Sequence, residues 1–472
     1  MKAERTYTGS GLMRAVILTL FVSFSSCDDF VNVDLPSSRI TQEGAFNSDQ
    51  TATAAALGMY TTMGQFNSFA ASGGLNSVTT LAAFSADEFT SFFSSNSQFV
   101  QNNLEASNPA VLSLWTTAYK LIYTANTVIE GVSQSGKLTT LTRQQLEGEA
   151  RFVRAFTYFY LVNLFGKAPL VLTTDYRVNA TIKRAEIDLV YAQILTDLLA
   201  SKELLSVNYV NGSNAPTQER FRPNRFAALT LLARVYLYLK DWENAELYAS
   251  AVINETATYE LSHSLDDVFL AGSKEAIWQV SQPSDATNSV EGVYFIPTSG
   301  SVNQIISENL LNSFEEGDNR RTKWIGFYQG ASTSFFYPFK YKVRNNTIKS
   351  EHSIVLRLTE LYLIRAEARA QQERLNGSES AASDLNIVRE RAGLPELSFG
   401  TKEGALSAVL RERRVELFSE WGHRWFDLRR SGVANEVLGD HKPNWNEQDL
   451  LYPIPEKELM TNPSLAPQNP GY

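Results

Sequence analysis

RPNRFAALTLLARVYLYL (222–239), followed at once by DWENAELYASAVI (241–253), is the stretch that decides the fold. Ala228, Leu231, Leu232, Val235 and Leu239 recur at i, i+3, i+4, i+7 and i+11, which is the buried stripe of a helix. Pro223 suits the first helical turn, where its missing N–H costs nothing. Asp241 predicts an N-cap for the second segment, its carboxylate accepting from free backbone N–H groups. So short a link forces the two helices into an antiparallel hairpin.

Leu232, Ala233, Tyr236 and Ala245 fall at the spacing of a tetratricopeptide repeat, with small residues where the helices cross. A second copy starts at YLIRAEARAQ (362–371). After a Gly/Ser insertion near Gly377 its partner is DLNIVRERAGLPEL (384–397), stopped by Gly393 and Pro395. The helix 146–165 reads as one arm of another degenerate unit. Thr142 and Gln145 give its start a capping-box pattern, Gly166 fits the position past its end and Pro169 prevents resumption. Its stripe of Phe152, Phe156, Phe159 and Tyr160 is core. Residues 64–103 are rich in Ser, Asn, Gly and Phe and read as loops and short helices. AIWQV (276–280), VYFIP (293–297) and FYPFKYKV (336–343) are β-prone runs among Ser, Asn and Gly, and helix is expected again from His352 to Gly422. LYPIPEKELMTNPSLAPQNPGY (451–472) reads as an extended strap. The fold class is therefore mostly α: tetratricopeptide-like helical hairpins with an irregular, loop-rich face and a few short strands. The expected division is 44–269 and 270–472, packed as one body.

The composition excludes several functions. The chain has 472 residues, 43% apolar and 20% charged, with a net charge of −9 that gives no support to nucleic-acid binding. One Cys rules out an internal disulfide framework and a thiolate zinc cluster, and four scattered His argue against a multi-histidine metal site. No Walker motif, dinucleotide fingerprint or HExxH is present, and no cofactor is expected. Residues 1–26 differ from the rest: Lys2, Arg5 and Arg14, then the apolar run Ala15 to Phe24, then Ser25 and Ser26 before Cys27. That is a signal peptide, its apolar run too short to span a bilayer. A Cys directly after it suggests lipidation of Cys27, with 27–43 as a polar tether and the membrane reached through the anchor only.

Six segments in this order resemble one family: Cys27 with Asp-Asp-Phe behind it, GAFNSDQTATAAALGMY (44–60), ARFVRAFTYFYLVNLFGKAPLVL (150–172), the 222–253 hairpin, VLRLTELYLIRAEARAQ (355–371) with RERAGLP (389–395), and ERRVELFSEWGHRWFDLRR (412–430) leading to QNPGY. The mature chain is similar throughout to SusD/RagB-type outer-membrane lipoproteins of Bacteroidetes. The resemblance implies a non-catalytic protein at the cell surface. It would capture oligo- or polysaccharide and deliver it to a TonB-dependent SusC-type transporter. A peptide ligand is the alternative within the family. A helical glycoside hydrolase and a protein-binding tetratricopeptide scaffold are the rivals outside it. Residues 64–103 and 270–346 match only loosely, so ligand specificity does not carry over.

A sugar ring presents an apolar C–H face that a flat aromatic covers, while amides and guanidinium groups take its hydroxyls. Aromatics outside helical stripes and among small polar residues are therefore the candidates: Phe92 and Phe93 with Asn96 in the first loop region, and Tyr294, Trp324, Phe327 and Tyr328 near Arg320 and Arg321 in the second. Core packing is the better account of any single one of them, while at least one of the two regions is expected to contribute to the ligand face. The cluster of Glu416, Glu420, His423, Arg424 and Asp427 is interleaved with Phe418, Trp421, Trp425 and Phe426. It reads as an ion-paired helix edge against the core rather than an acid/base site. Asp87 and Glu88 read as solvated loop acids, with a local helix cap as the alternative.

Overall fold

The helical pair at 222–253 forms as its caps dictate. Asn224 accepts from the Ala227 N–H at 3.1 Å and opens the helix Arg225–Tyr238. Asp241 accepts from the Asn244 N–H and opens the helix Trp242–Ile253. Pro223 thus sits just before the cap rather than inside the first turn. Leu231, Leu232 and Val235 are buried, and Ala233, Ala245 and Ala249 are buried beside them. The computed structural model describes residue 1 and residues 42–472, apart from 283, 285 and 301. The expected signal peptide, Cys27 and the tether up to residue 41 lie outside the described residues.

The second pair is Leu358–Gln371 with Ala381–Arg391, and Lys402–Glu416 packs beside it. Charged residues join the units. Arg234 makes a bidentate contact to Glu360, and Arg369 bridges Glu246 of the first pair to Asp384 of the second, each contact at 3.0 Å. The aromatic helix Thr140–Phe165 is buried along most of its length, against Pro109–Gln134 and Ile187–Leu204. Its cap is Thr139, not Thr142: the Thr139 hydroxyl accepts from the Thr142 N–H, while Gln145 turns to Glu149 and to the Ser206 N–H. Aromatic edges interlock around this helix, with Trp278 meeting Phe152 at 4.9 Å and Phe156 at 5.3 Å, and Trp421 meeting Phe156 at 5.3 Å. Burying each such side chain contributes roughly 1.5–3 kcal/mol.

Among the described residues the strands are short and antiparallel. Ala276–Val280 is a strand as expected, and its partner is Ser353–Arg357, inside the region expected to be helical. Its residues Ile354 and Val355 are β-branched and every position is buried, so strand pairing wins there. VYFIP reverses in the other direction. Val290–Phe295 is a helix, capped by Ser289 through the Gly292 N–H, and Gly292 is needed because a side chain there would meet the Val343 carbonyl oxygen at 2.1 Å. The β-prone run at 336–343 supplies only the end of Ser334–Pro338, which pairs with Ile325–Gln329 as a hairpin. The C-terminal segment is a strap interrupted by the short helix Glu456–Thr461. Tyr452 donates its N–H to the Leu164 carbonyl, and the Asn469 amide donates to the carbonyls of Phe165 and Tyr452, all at 2.8 Å. Ala45–Tyr472 forms one unit by its contacts.

Candidate functional site

Two distant loop regions meet through a two-residue ladder. Phe89–Thr90 pairs antiparallel with Ile305–Ile306, Phe89 opposite Ile306 and Thr90 opposite Ile305. This sets residues 91–96 beside residues 302–304. The hairpin Ile325–Gln329/Ser334–Pro338 packs on the same segment. In its register Tyr328 faces Phe335 and Gly326 faces Tyr337. Gly326 has a steric reason: a Cβ there would lie 2.2 Å from the Tyr337 ring, which covers it.

Phe335 is the hub. It is buried with Val302 and Ile305, and Tyr328 and Tyr337 pack on that small cluster. Tyr328 stacks on Phe335 at 5.0 Å with an interplanar angle of 17°, and Phe92 meets Phe335 edge-on at 5.9 Å. Beside the rings, the Asn96 amide donates to the Ser91 hydroxyl at 3.1 Å and to the Asn303 side-chain oxygen at 3.2 Å. Phe92 is 56% exposed and Phe93 43% exposed. The arrangement is a surface of rings bordered by amides and hydroxyls. It offers flat apolar faces and neutral hydrogen-bonding groups.

Phe92, Phe93, Asn96 and Tyr328 are therefore brought to one place. Tyr294 is not in that group; its ring contact is to Phe66, edge-on at 5.9 Å. Phe327 is 52% exposed and pairs with Phe336, so by strand alternation it lies on the opposite face of the hairpin from Tyr328. Trp324 and Arg320 do not belong to a ligand face in this structure, because both are fully buried. The Trp324 indole N–H donates to the Leu265 carbonyl at 2.9 Å, with the Lys340 ammonium 4.8 Å over its ring. Arg320 contacts Asp318, Glu412 and Glu416. Phe335 and Asn303 escaped the sequence reading. Phe335 had a signal: IGFYQ and SFFYP flank GAST, two aromatic runs around a small-residue turn, which is a hairpin pattern. Asn303 had none.

The acids at 412–430 are not a helix edge. The segment breaks into Lys402–Glu416 and His423–Ser431, with Ser419, Trp421 and Gly422 at positive φ between them. Glu416 is buried and contacts Arg320 at 2.9 Å, Arg357 at 2.7 Å and Arg391 at 2.6 Å. Burial works against its charge, but Arg391, Arg357 and Arg320 together hold its carboxyl well below the usual range. Burial pushes His423 well below the usual imidazole value, with Arg234 and Arg413 adding to it, so it is neutral. This is an internal ion network.

Asp87 and Glu88 are not solvated loop acids either; both are buried. Burial disfavours the Asp87 charge, yet Arg424 at 2.8 Å and Arg414 at 2.6 Å bring its carboxyl down to about 2. Glu88 lies next to it without an ion pair, and one of its oxygens has no hydrogen-bond partner. Burial, reinforced by the Asp87 charge, pushes Glu88 up to about 8. A carboxyl raised in the fold keeps its proton while the unfolded chain loses one, so stability falls as pH rises from about 4.5 to 8. Glu88→Gln should therefore match the wild type at pH 5, where Glu88 is protonated, and exceed its melting temperature at pH 8. Equal melting temperatures at both pH values in thermal unfolding would refute this.

Comparisons with known proteins point one way. A family model described as "Starch-binding associating with outer membrane" matches residues 36–237, and one described as "SusD family" matches residues 307–472. The "SusD-like protein P2" of Formosa agariphila is 28% identical over 425 residues, covering 77% of this chain and 81% of that protein. Among solved structures, a SusD superfamily protein from Parabacteroides distasonis aligns with a TM-score of 0.77 at 21% identity, over 90% of this chain and 98% of that one. A structure titled "Laminarin binding SusD-like protein" aligns with a TM-score of 0.74 at 23% identity, over 89% of this chain and 99% of that one.

Proposed function

The chain belongs to the SusD/RagB family, and from that premise we infer that it is a cell-surface lipoprotein that binds glycans and passes them to a TonB-dependent SusC-type transporter in the outer membrane. Lipidated Cys27 is the anchor in this reading; no helix among the described residues is long and apolar enough to cross a membrane. The observation that carries the reading is the exposed cluster built on Phe335. Phe92 and Tyr328 supply ring faces for the C–H faces of sugar units. Asn96, Asn303 and Ser91 stand beside them as hydroxyl partners. The family description as starch-binding and the laminarin-binding title of one structural neighbour agree with it. Binding without turnover is further supported by the acids. Asp87, Glu88, Glu416 and Asp427 are buried, and three of the four are held by arginines. None is left as an exposed acid/base pair beside the rings.

The test is affinity electrophoresis against a panel of polysaccharides that includes laminarin, starch, galactomannan and xylan. The wild type should be retarded by at least one of them. Phe92→Ala and Tyr328→Ala should each weaken that binding about tenfold, roughly 1.4 kcal/mol, as for a side chain near the centre of an interface. Their melting temperatures should stay close to that of the wild type. No retardation by any member sinks the reading, and retardation untouched by both substitutions moves the site elsewhere.

A further inference from the structure

The segments that build the ring surface share an unusual composition. Residues 89–104, 292–307 and 324–339 contain no Asp, Glu, Lys, Arg or His, in a chain where one residue in five is charged. These stretches include Phe92, Phe93, Asn96, Asn303, Tyr328 and Phe335. Most of the cations nearest to them along the chain are already engaged, the exception being Arg321, which is exposed three residues before the third stretch. Lys340 is buried, donates to Glu420 and lies 4.1 Å over the Phe418 ring. Lys323 pairs with Asp266, Lys342 donates to the carbonyls of Lys323 and Phe339, and Arg344 donates to those of Val293 and Ile296. Arg414 and Arg424 are held by Asp87. Exposed Glu105 follows the first stretch and exposed Glu308 the second, while Lys323, exposed and paired with Asp266, precedes the third.

An anionic sugar meets two penalties on such a surface. Taking a carboxylate or sulfate out of water is costly unless a cation or several donors replace its hydration. The faces of aromatic rings carry negative potential and repel an anion laid on them. A neutral sugar unit meets neither of these. Its C–H face covers a ring, and its hydroxyls exchange water for amide and hydroxyl partners.

We propose that the ligand of this surface is a neutral glycan, without uronate or sulfate groups on the sugar units that contact Phe92, Tyr328 and their neighbours. The proposal rests on the glycan-binding reading above and narrows it. It also excludes an acidic peptide from the same place.

The experiment compares matched polymers by calorimetry with the purified protein. Laminarin, starch, galactomannan and xylan are each titrated beside their carboxymethylated and sulfated forms. A hydroxyethylated form controls for bulk without charge. The neutral polymer that binds should lose about tenfold or more in affinity on carboxymethylation or sulfation and much less on hydroxyethylation. Its Kd should change less than about twofold between roughly 20 and 500 mM NaCl, since no ion pair is there to be screened. Adding cations at two exposed loop positions, Ser95→Lys with Ser332→Lys, should recover binding of the carboxymethylated form and make it salt-sensitive. Anionic forms that bind as tightly as the neutral polymer, or a double variant with no gain for them, would overturn the proposal and leave glycan binding standing. Failure of every polymer, neutral and charged, would instead overturn the glycan-binding reading on which it rests.

Discussion

Glu416→Gln should lower the stability of the protein by about 3–5 kcal/mol, the usual cost of removing one partner from a buried ion group. The shape of the side chain is kept and only its charge is lost. Arg320, Arg357 and Arg391 all donate to this carboxylate, and the side chains of all three are at most 5% exposed. Without it the remaining acids, Asp318, Glu412, Glu420 and Glu275, must hold three guanidinium groups. The measurement is the denaturant midpoint at pH 7. Glu147→Gln is the control. Its i,i+4 pair with Arg151 is partly exposed, and losing it should cost less than about 1 kcal/mol. A midpoint for Glu416→Gln no lower than that of the control would refute the prediction. The pH dependence has a definite sign. The Glu416 carboxyl lies below its ordinary value in the fold, so its stabilisation is complete above that ordinary value and is lost as the solution becomes more acidic.

Trp324→Ala should cost about 3–5 kcal/mol of stability, the range for deleting a large aromatic from a packed interior, while leaving glycan affinity of the folded protein unchanged. The ring is fully buried against Phe269, its N–H holds the Leu265 carbonyl, and Lys340 lies over its face. Alanine there opens a cavity, removes a hydrogen bond and strips a buried ammonium of one aromatic neighbour. Unfolding by denaturant measures the first half. Titration of a bound polysaccharide at low temperature, beside Phe92→Ala, measures the second. A variant with wild-type stability and lost affinity would return Trp324 to the ligand face.

Trp324 also shows where the sequence stops informing. Helices announce themselves through period and caps: Leu231, Leu232 and Val235 with Asp241 specified the 222–253 pair, because helix periodicity and capping are local properties. The core role of Phe152 and Phe156 followed from the same stripe, and both are buried. For a loop aromatic the deciding quantity is what packs over it, which is set by residues far along the chain. Phe92 and Trp324 sit in similar polar surroundings in sequence, yet Phe269 and Lys340 cover one and the other stays half open. The charged segment 412–430 gave its ion-paired character correctly and its burial wrongly. Its partners Arg357 and Arg320 come from segments 59 and 96 residues earlier, counted from Glu416. Strand Ser353–Arg357 was missed because a five-residue buried run reads equally as the start of a helix.

The strap that returns to the aromatic helix has a consequence for the order of folding. Tyr452 and Asn469 close on Leu164 and Phe165, Tyr452 shares a hydrogen bond with Ser85, and Lys442 donates to the carbonyls of Phe84 and Ser85. The two matched regions, 36–237 and 307–472, are thus joined by contacts within the one unit Ala45–Tyr472. The first of them, once synthesised, still lacks the arginines for Asp87 and the groups that cap Phe84 to Ser85. Contacts so distant along the chain make collapse late and slow. The surroundings of Phe84 to Asp87 are therefore completed only when the last segment of the chain docks on the aromatic helix.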